Sequence, residues 1–304
     1  MKKFKGEIAL ISATIIWGAT FTIIKTALHD ASPLVFISLR FTFAALILLP
    51  FMFKALRGIT KPVLLGGVLL GIFYFLGFST QTIGLNYTSA TKSGFITGTF
   101  VIFTPLLQII IERRPPSRGS VAGIILSVAG LVLLSSTGTS ILSVFTEIGE
   151  GFNIGDFFTL LCAFFFSLYV VYLDIVSKKY DYKPLVFLQI AVTGICGILA
   201  AFVLAFFGLE TPHLELTANL IFAVGYTSIL ATIVTTIILT KYQKLILPAR
   251  AGIIYALEPI FSALVAFFVL REKISNFGLI GGALIFLGLL VSEVIDKKSE
   301  QQYE

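Results

Sequence analysis

The chain has 304 residues, 57% of them apolar and 12% charged, with a mean hydropathy of +1.00 and a net charge of +6. Such a make-up excludes an ordinary soluble domain and places the chain in lipid. In a soluble protein the positive charge would point to nucleic acid; in a membrane chain topology accounts for it, and neither nucleic acid nor a cofactor is implied.

Ten apolar runs follow one another, each close to the roughly 20 residues a helix needs to cross about 30 Å of hydrocarbon. The first, Glu7–Leu28, follows Met1-Lys2-Lys3-Phe4-Lys5. It is read as an uncleaved helix rather than a signal peptide, because it is as long as a span, contains Trp17 and Lys25 and is followed by no small-residue cleavage site. Pro33–Phe53, Val63–Leu85, Ser89–Ile111 and Gly119–Thr137 complete a first set of five. A stretch from 138 to 154 reads as a linker, and Gly155–Ser177, Pro184–Phe207, Leu216–Lys241, Leu247–Leu270 and Asn276–Ile295 make a second set. The runs are continuously apolar, without the alternation of a barrel strand, so they are expected to be helices. Cys162 and Cys196 both fall inside such runs and suggest neither a disulfide framework nor a metal site.

The two sets are copies. Pro33-Leu34-Val35-Phe36 returns as Pro184-Leu185-Val186-Phe187, and Gly6-Glu7 corresponds to Gly155-Asp156. From Lys92 to Leu131 each mate lies 158 positions on, pairing Lys92 with Arg250, Gly94 with Gly252, Gly123 with Gly281 and Gly130 with Gly288. Five spans is an odd number, so the second copy must lie inverted in the bilayer. The expected fold class is therefore all-α integral membrane, with ten transmembrane helices as two inverted five-helix repeats around a central cavity. The first repeat would cover residues 1–137, and the second, with a short tail, 155–304. Pro105 faces Ala263 and Pro259 faces Val101 in the repeat register, which predicts kinks at different depths in the fourth and ninth helices.

Seventeen of the 22 basic residues, from Lys2 and Lys3 to Lys297 and Lys298, fall at one set of helix ends. The opposite ends keep Lys25, Lys92, Arg271 and Lys273 beside Asp30, Glu147, Glu150, Asp156, Glu210 and Glu215. The positive-inside bias puts both termini in the cytoplasm.

Polar positions at helical spacing mark faces turned from lipid. The third segment has Gly71, Tyr74, Phe78 and Gln81, matched in the eighth by Gly225, Ser228, Thr232 and Thr235. The fourth has Gly94, Thr97, Val101, Thr104 and Gln108, matched in the ninth by Gly252, Tyr255, Pro259, Ser262 and Ala266. The glycines read as close helix contacts. For Tyr74, Gln81, Gln108 and Tyr255 two readings stand, interhelical bonding or the lining of a wet cavity. Arg40 and Glu258 are charges deep in the second and ninth spans, at depths within roughly 10 Å of each other. They are either functional groups or a structural pair, and Glu258 is also a candidate carrier of a coupling proton. Snorkelling accounts for Lys25, Lys92, Asp174 and Arg250, while Trp17 and its mate Phe166 either line a path or simply pack. His29 and His213 form no zinc-ligand cluster, and there is no phosphate-binding Gly-x-x-x-x-Gly-Lys-Ser/Thr loop, so neither a metal site nor ATP drive is expected.

Trp17-Gly18-Ala19-Thr20-Phe21, Pro33 with Arg40 seven residues on, Tyr87-Thr88-Ser89-Ala90, and Leu257-Glu258-Pro259 with Arg271-Glu272 together resemble the drug/metabolite transporter superfamily, in its ten-helix EamA-like branch. The resemblance implies a central cavity walled by the first, third, fourth, sixth, eighth and ninth helices, with Trp17, Tyr74, Gln81, Thr97, Tyr226 and Tyr255 in its wall. Arg113-Arg114-Pro115-Pro116 departs from the family, which often has an acidic residue after the arginine. The function expected is a secondary transporter exporting a small organic solute, an amino acid, metabolite or drug-like compound, by alternating access, and no enzyme. Arg40, Gln108 and Glu258 join the wall candidates, and the partners expected are the solute, the lipid bilayer and a coupling proton. A bacterial plasma membrane fits the short loops. The alternatives are a nucleotide-sugar or sugar-phosphate exchanger of the same superfamily, which would need several basic groups facing the cavity, and a scaffold or intramembrane enzyme.

Overall fold

A computed structural model describes residues 2–135, 152–269, 271 and 275–301. Most of the expected linker, with Glu147 and Glu150, and the positions of Leu270, Glu272 and Lys273 lie outside the described residues. The described chain is helical, with a single isolated β-bridge between Ala31 and Leu214. In chain order the helices are α1 (Lys2–Gly18), α2 (Thr20–Ala27), α3 (Pro33–Leu56), α4 (Lys61–Tyr87), α5 (Ala90–Gly98), α6 (Phe100–Glu112) and α7 (Arg118–Ser135). After the linker come α8 (Ile154–Ser177), α9 (Tyr182–Phe206), α10 (Ala218–Ser228), a π-helical segment (Ile229–Val234), α11 (Thr235–Tyr242), a 3-10 turn (Gln243–Leu245), α12 (Pro248–Tyr255), α13 (Glu258–Val269) and α14 (Asn276–Gln301).

Among the described residues nine helices are long and apolar enough to cross a membrane, counting α1–α2, α5–α6, α10–α11 and α12–α13 each as one. The fifth expected span is a shorter apolar helix, Arg118–Leu134. Side chains such as Phe51, Ile110, Phe202 and Phe268 stand exposed around the outside, where only hydrocarbon makes apolar exposure inexpensive. Several inward-pointing hydroxyls are satisfied locally: Thr104, Ser167, Thr193, Thr227 and Thr240 each donate to the carbonyl four residues back.

Starts and stops follow local chemistry. Pro33, Pro62 and Pro248 occupy the first turns of α3, α4 and α12, where a missing N–H costs nothing. Asn153 and Asp156 form a reciprocal capping box at the start of α8. Two breaks fall at equivalent positions: α5 gives way to α6 at Thr99, and α12 to α13 at Ala256 and Leu257, the latter being Thr99's repeat mate. This corrects the expectation of kinks at different depths, for α6 runs on through Pro105. The second break just precedes Pro259, which disfavours helical geometry in its predecessor. Pro259 also packs on Gly98 beside the first break, where an added Cβ would meet the ring at 2.9 Å.

Close backbone approach fixes the helix pairs. α7 lies antiparallel on α14: a Cβ at Gly123 would meet the Gly288 carbonyl at 2.8 Å, and one at Gly130 the Gly281 carbonyl at 2.6 Å. Since Gly281 and Gly288 are the mates of Gly123 and Gly130, the mates exchange partners, as a two-fold axis between antiparallel helices requires. α4 lies antiparallel on α8 in the same manner, with Gly84 against Gly155, Gly77 against the Phe166 ring and Gly66 against Val176. α9 packs on both α3 and α4.

Candidate functional site

Between these pairs, where the helices break, lies a cavity walled by twelve residues. Seven are aromatic, namely Trp17, Tyr74, Phe78, Phe100, Phe166, Tyr169 and Tyr255. Thr20, Gln81 and Glu258 supply polar groups, and Val170 and Leu239 complete the wall. The cavity leaves about 30 Å³ to the centres of water-sized spheres, room for a water or two rather than for an organic solute. The structure is thus nearly closed at its centre.

Three of the polar wall residues are held from behind. Tyr74 shares a 2.9 Å hydrogen bond with Thr236 and stacks on Tyr169, ring centroids 4.7 Å apart. Gln81 Nε2 donates to Thr97 Oγ1 at 3.3 Å. Tyr255 Oη donates to Gln243 Oε1 at 2.9 Å, while Gln243 Nε2 donates to the Val170 carbonyl, so one glutamine ties three elements together. Glu258 stands in the first turn of α13, 6% exposed.

The π-helical segment carries the second feature. Widening the turn frees the Ala231 carbonyl, which accepts from Trp17 Nε1 (3.2 Å), an Arg40 guanidinium nitrogen (3.1 Å) and Thr235 Oγ1 (2.8 Å). Arg40 is wholly buried; its Nε donates to Thr232 Oγ1 at 2.8 Å and its guanidinium lies 4.4 Å from the Phe78 ring centroid. No ion pair joins it to Glu258, so the structural pair weighed from their similar depths is not formed; the backbone of a third span takes its place.

Of the residues singled out from sequence, Trp17, Tyr74, Gln81, Tyr255 and Glu258 come together at the cavity. Arg40 lies behind Phe78, and Thr97 behind Gln81. Gln108 is elsewhere: its Oε1 accepts from Ala249 N (2.8 Å) at the start of α12 and its Nε2 donates to the Arg114 carbonyl (3.0 Å), which joins two helix ends. Tyr226 Oη donates to the Ile16 carbonyl at 2.9 Å, just before the α1–α2 break. Sequence reasoning missed Tyr169, Phe100 and Thr20; Tyr169's signal was its place one turn after Phe166 on the same face.

Matched ion pairs stand at the two ends of the bundle. At the end carrying Lys25 and Asp30, Lys92 Nζ lies 2.7 Å from Asp156 Oδ2, and Thr88 donates to the same carboxylate. At the opposite, basic end, Arg250 Nε lies 2.7 Å from Glu7 Oε1 and a second guanidinium nitrogen pairs with Glu293. Lys92 and Arg250 are repeat mates, as are Asp156 and Glu7.

A model of the EamA-like transporter family matches this chain twice, over residues 4–136 and 153–293. A relative from Archaeoglobus fulgidus described as an uncharacterized transporter is 30% identical over 96% of this chain and 86% of its own length. The uncharacterized transporter YcxC of Bacillus subtilis is 22% identical over 97% and 95%. A crystal structure with 17% identity superposes with a TM-score of 0.72 over 97% of this chain and 99% of its own, which shows a shared fold. The chain belongs to the EamA-like transporter family and is a multi-pass membrane protein with a transporter role.

Proposed function

We propose that the chain is a secondary transporter that exports a small organic solute across a bacterial plasma membrane, both termini cytoplasmic, by rocking one inverted five-helix repeat against the other. Residues 1–137 form the first repeat, 138–154 the linker and 155–304 the second with its tail. The observation that carries this reading is the exchange of partners between repeat mates, seen in the glycines of α7 and α14 and in the ion pairs Lys92–Asp156 and Arg250–Glu7. A two-fold axis in the membrane plane turns one end into the other, so a device at one mouth has its copy at the opposite mouth. The two ion pairs are the outer and inner gates, opening in turn, and the nearly closed cavity belongs to the stage when both are shut.

The wall chemistry selects the solute. Trp17, Tyr74, Tyr169 and Tyr255 offer ring faces, and Glu258 is the one charged group among the lining residues. That combination suits an apolar or aromatic body bearing an amine, as in amino acids, metabolite amines and cationic drug-like compounds. Sugar phosphates and nucleotide sugars are disfavoured because no lysine or arginine among the described residues lines the cavity. Arg40 and Thr97 position the wall from behind.

Purified protein in vesicles loaded with a panel of amines, amino acids and phosphorylated sugars tests this. Efflux of amine-bearing solutes is expected, cut at least tenfold by Glu258→Gln. Efflux of phosphorylated sugars alone, or no efflux of any solute, would sink the reading.

A further inference from the structure

At the basic end a second cavity, about 270 Å³ against about 30 Å³ for the central one, lies between the end of α6 and the last turn of α8. Its walls are Glu112, Arg114, Asp174, Ile175, Lys178 and Lys179. The Asp174 side chain is only 1% exposed, and its Oδ2 accepts from Lys178 one turn on. Its other oxygen, Oδ1, is buried without a donor, and so is Glu112 Oε2. The two carboxyls line the same cavity, each with one buried oxygen that no donor reaches.

Two ionised carboxylates only accept, so buried oxygens brought to one cavity in this way repel and leave both desolvated. The cations facing the pair do not resolve this: Lys178 is spent on Oδ2, while Arg114 and Lys179 line the cavity without donating to either orphaned oxygen. A single proton does, converting the contact to an O–H···O⁻ bond shared between two helices. Asp174's repeat mate, Lys25, does different work, donating to the Leu85 and Thr88 carbonyls at 2.7 and 2.9 Å at the end of α4. The carboxyl pair therefore has no counterpart at the other mouth.

We propose that Glu112 and Asp174 together bind one exchangeable proton at the basic mouth, and that this proton fastens α6 to α8. When the proton leaves to the water of the vestibule, both groups ionise, their repulsion parts the helix ends, and the mouth opens. The coupling step rests on the transporter reading above; the proton site itself does not.

The test is an infrared titration of the full chain in lipid vesicles, in a Glu258→Gln background that removes the carboxyl of the central cavity. One protonated carboxyl per chain is expected, lost on alkalinisation and absent after either Glu112→Gln or Asp174→Asn. Because either substitution suffices, one folded variant decides the matter, and Glu112→Gln keeps a neutral side chain of the same length in place. A band that survives both substitutions overturns the proposal, and so does a band that sodium abolishes where potassium does not, since the site would then hold a metal cation. Solute efflux is measured separately, in vesicles of the native chain that keeps Glu258: a titrating band in the variant with no efflux from the native chain upholds the proton site and sinks the transporter reading alone.

Discussion

The contact between α4 and α8 and the contact between the π-helical segment and α1 are the same contact in the repeat register, built twice with different materials. Gly77 and Phe166 meet in the first. Their mates, Ala231 and Trp17, meet in the second through a hydrogen bond from the indole to a freed carbonyl. On the first side α4 and α8 run unbroken and glycines let the backbones touch; on the second, α1 gives way to α2 at Ala19 and the eighth span widens into a π turn. A glycine contact is stiff because nothing in it can change partner. A carbonyl holding three donors can release one and keep two, so the broken side is where rocking is expected to be absorbed. The same asymmetry explains the polar stripes: Tyr74, Phe78 and Gln81 face the cavity, whereas their mates Ser228, Thr232 and Thr235 are taken up by Arg40 and by their own helix.

The comparison breaks most readily at Gly84. A Cβ there would meet the Gly155 carbonyl at 2.6 Å, so Gly84→Leu is expected to cost about 3 kcal/mol or more and to abolish the folded peak in size-exclusion chromatography. Ile238, its mate, is expected to tolerate Leu. Arg40→Met removes two buried hydrogen bonds and is expected to cost roughly 1–2 kcal/mol, read as a lower thermal midpoint in detergent. Arg40→Lys will not restore it, because one ammonium cannot span Thr232 and Ala231 as the guanidinium fork does. Trp17→Phe makes the second contact resemble the first and forfeits one bond, about 0.6 kcal/mol; efflux is expected to fall further than stability does.

The smallest effect lies outside both contacts. Hydrogen bonds from Asn219 and Thr217 hold the Asp30 carboxyl below its ordinary range. A lowered folded value means that its contribution is complete above the ordinary carboxylate range and is lost as pH falls through the lowered one. Amide exchange at Glu215, whose N–H donates to the Asp30 carbonyl at 2.7 Å, should quicken on acidification in the native chain. In Asp30→Asn it should be insensitive to pH once intrinsic exchange is subtracted.

Much of this was legible in the chain. Span positions follow from hydropathy; helical spacing of polar residues brought Tyr74, Gln81 and Tyr255 to notice, charge within a span Glu258, and the repeat register with the family resemblance Trp17. The partner of Arg40 was not legible, since a π turn leaves no local mark and the carbonyl it frees belongs to a helix some 190 residues away. Gln108 misled for a related reason: it shares a face with Thr97 and Thr104, yet lies far enough along α6 to reach the start of α12 instead. The proline positions misdirected the breaks because Pro259 acts across the bundle on Gly98 as well as along its own helix.

Distances measured by paired spin labels across the two ends test the central claim most directly, with one pair on exposed positions beside Lys92 and Asp156 and another on exposed positions beside Glu7 and Arg250, both ion pairs being kept, in a chain freed of Cys162 and Cys196. Reciprocal populations are predicted, with one end short whenever the other is long, and with solute and pH shifting the balance. Two ends that open together, or that both stay short under every condition, would contradict alternating access.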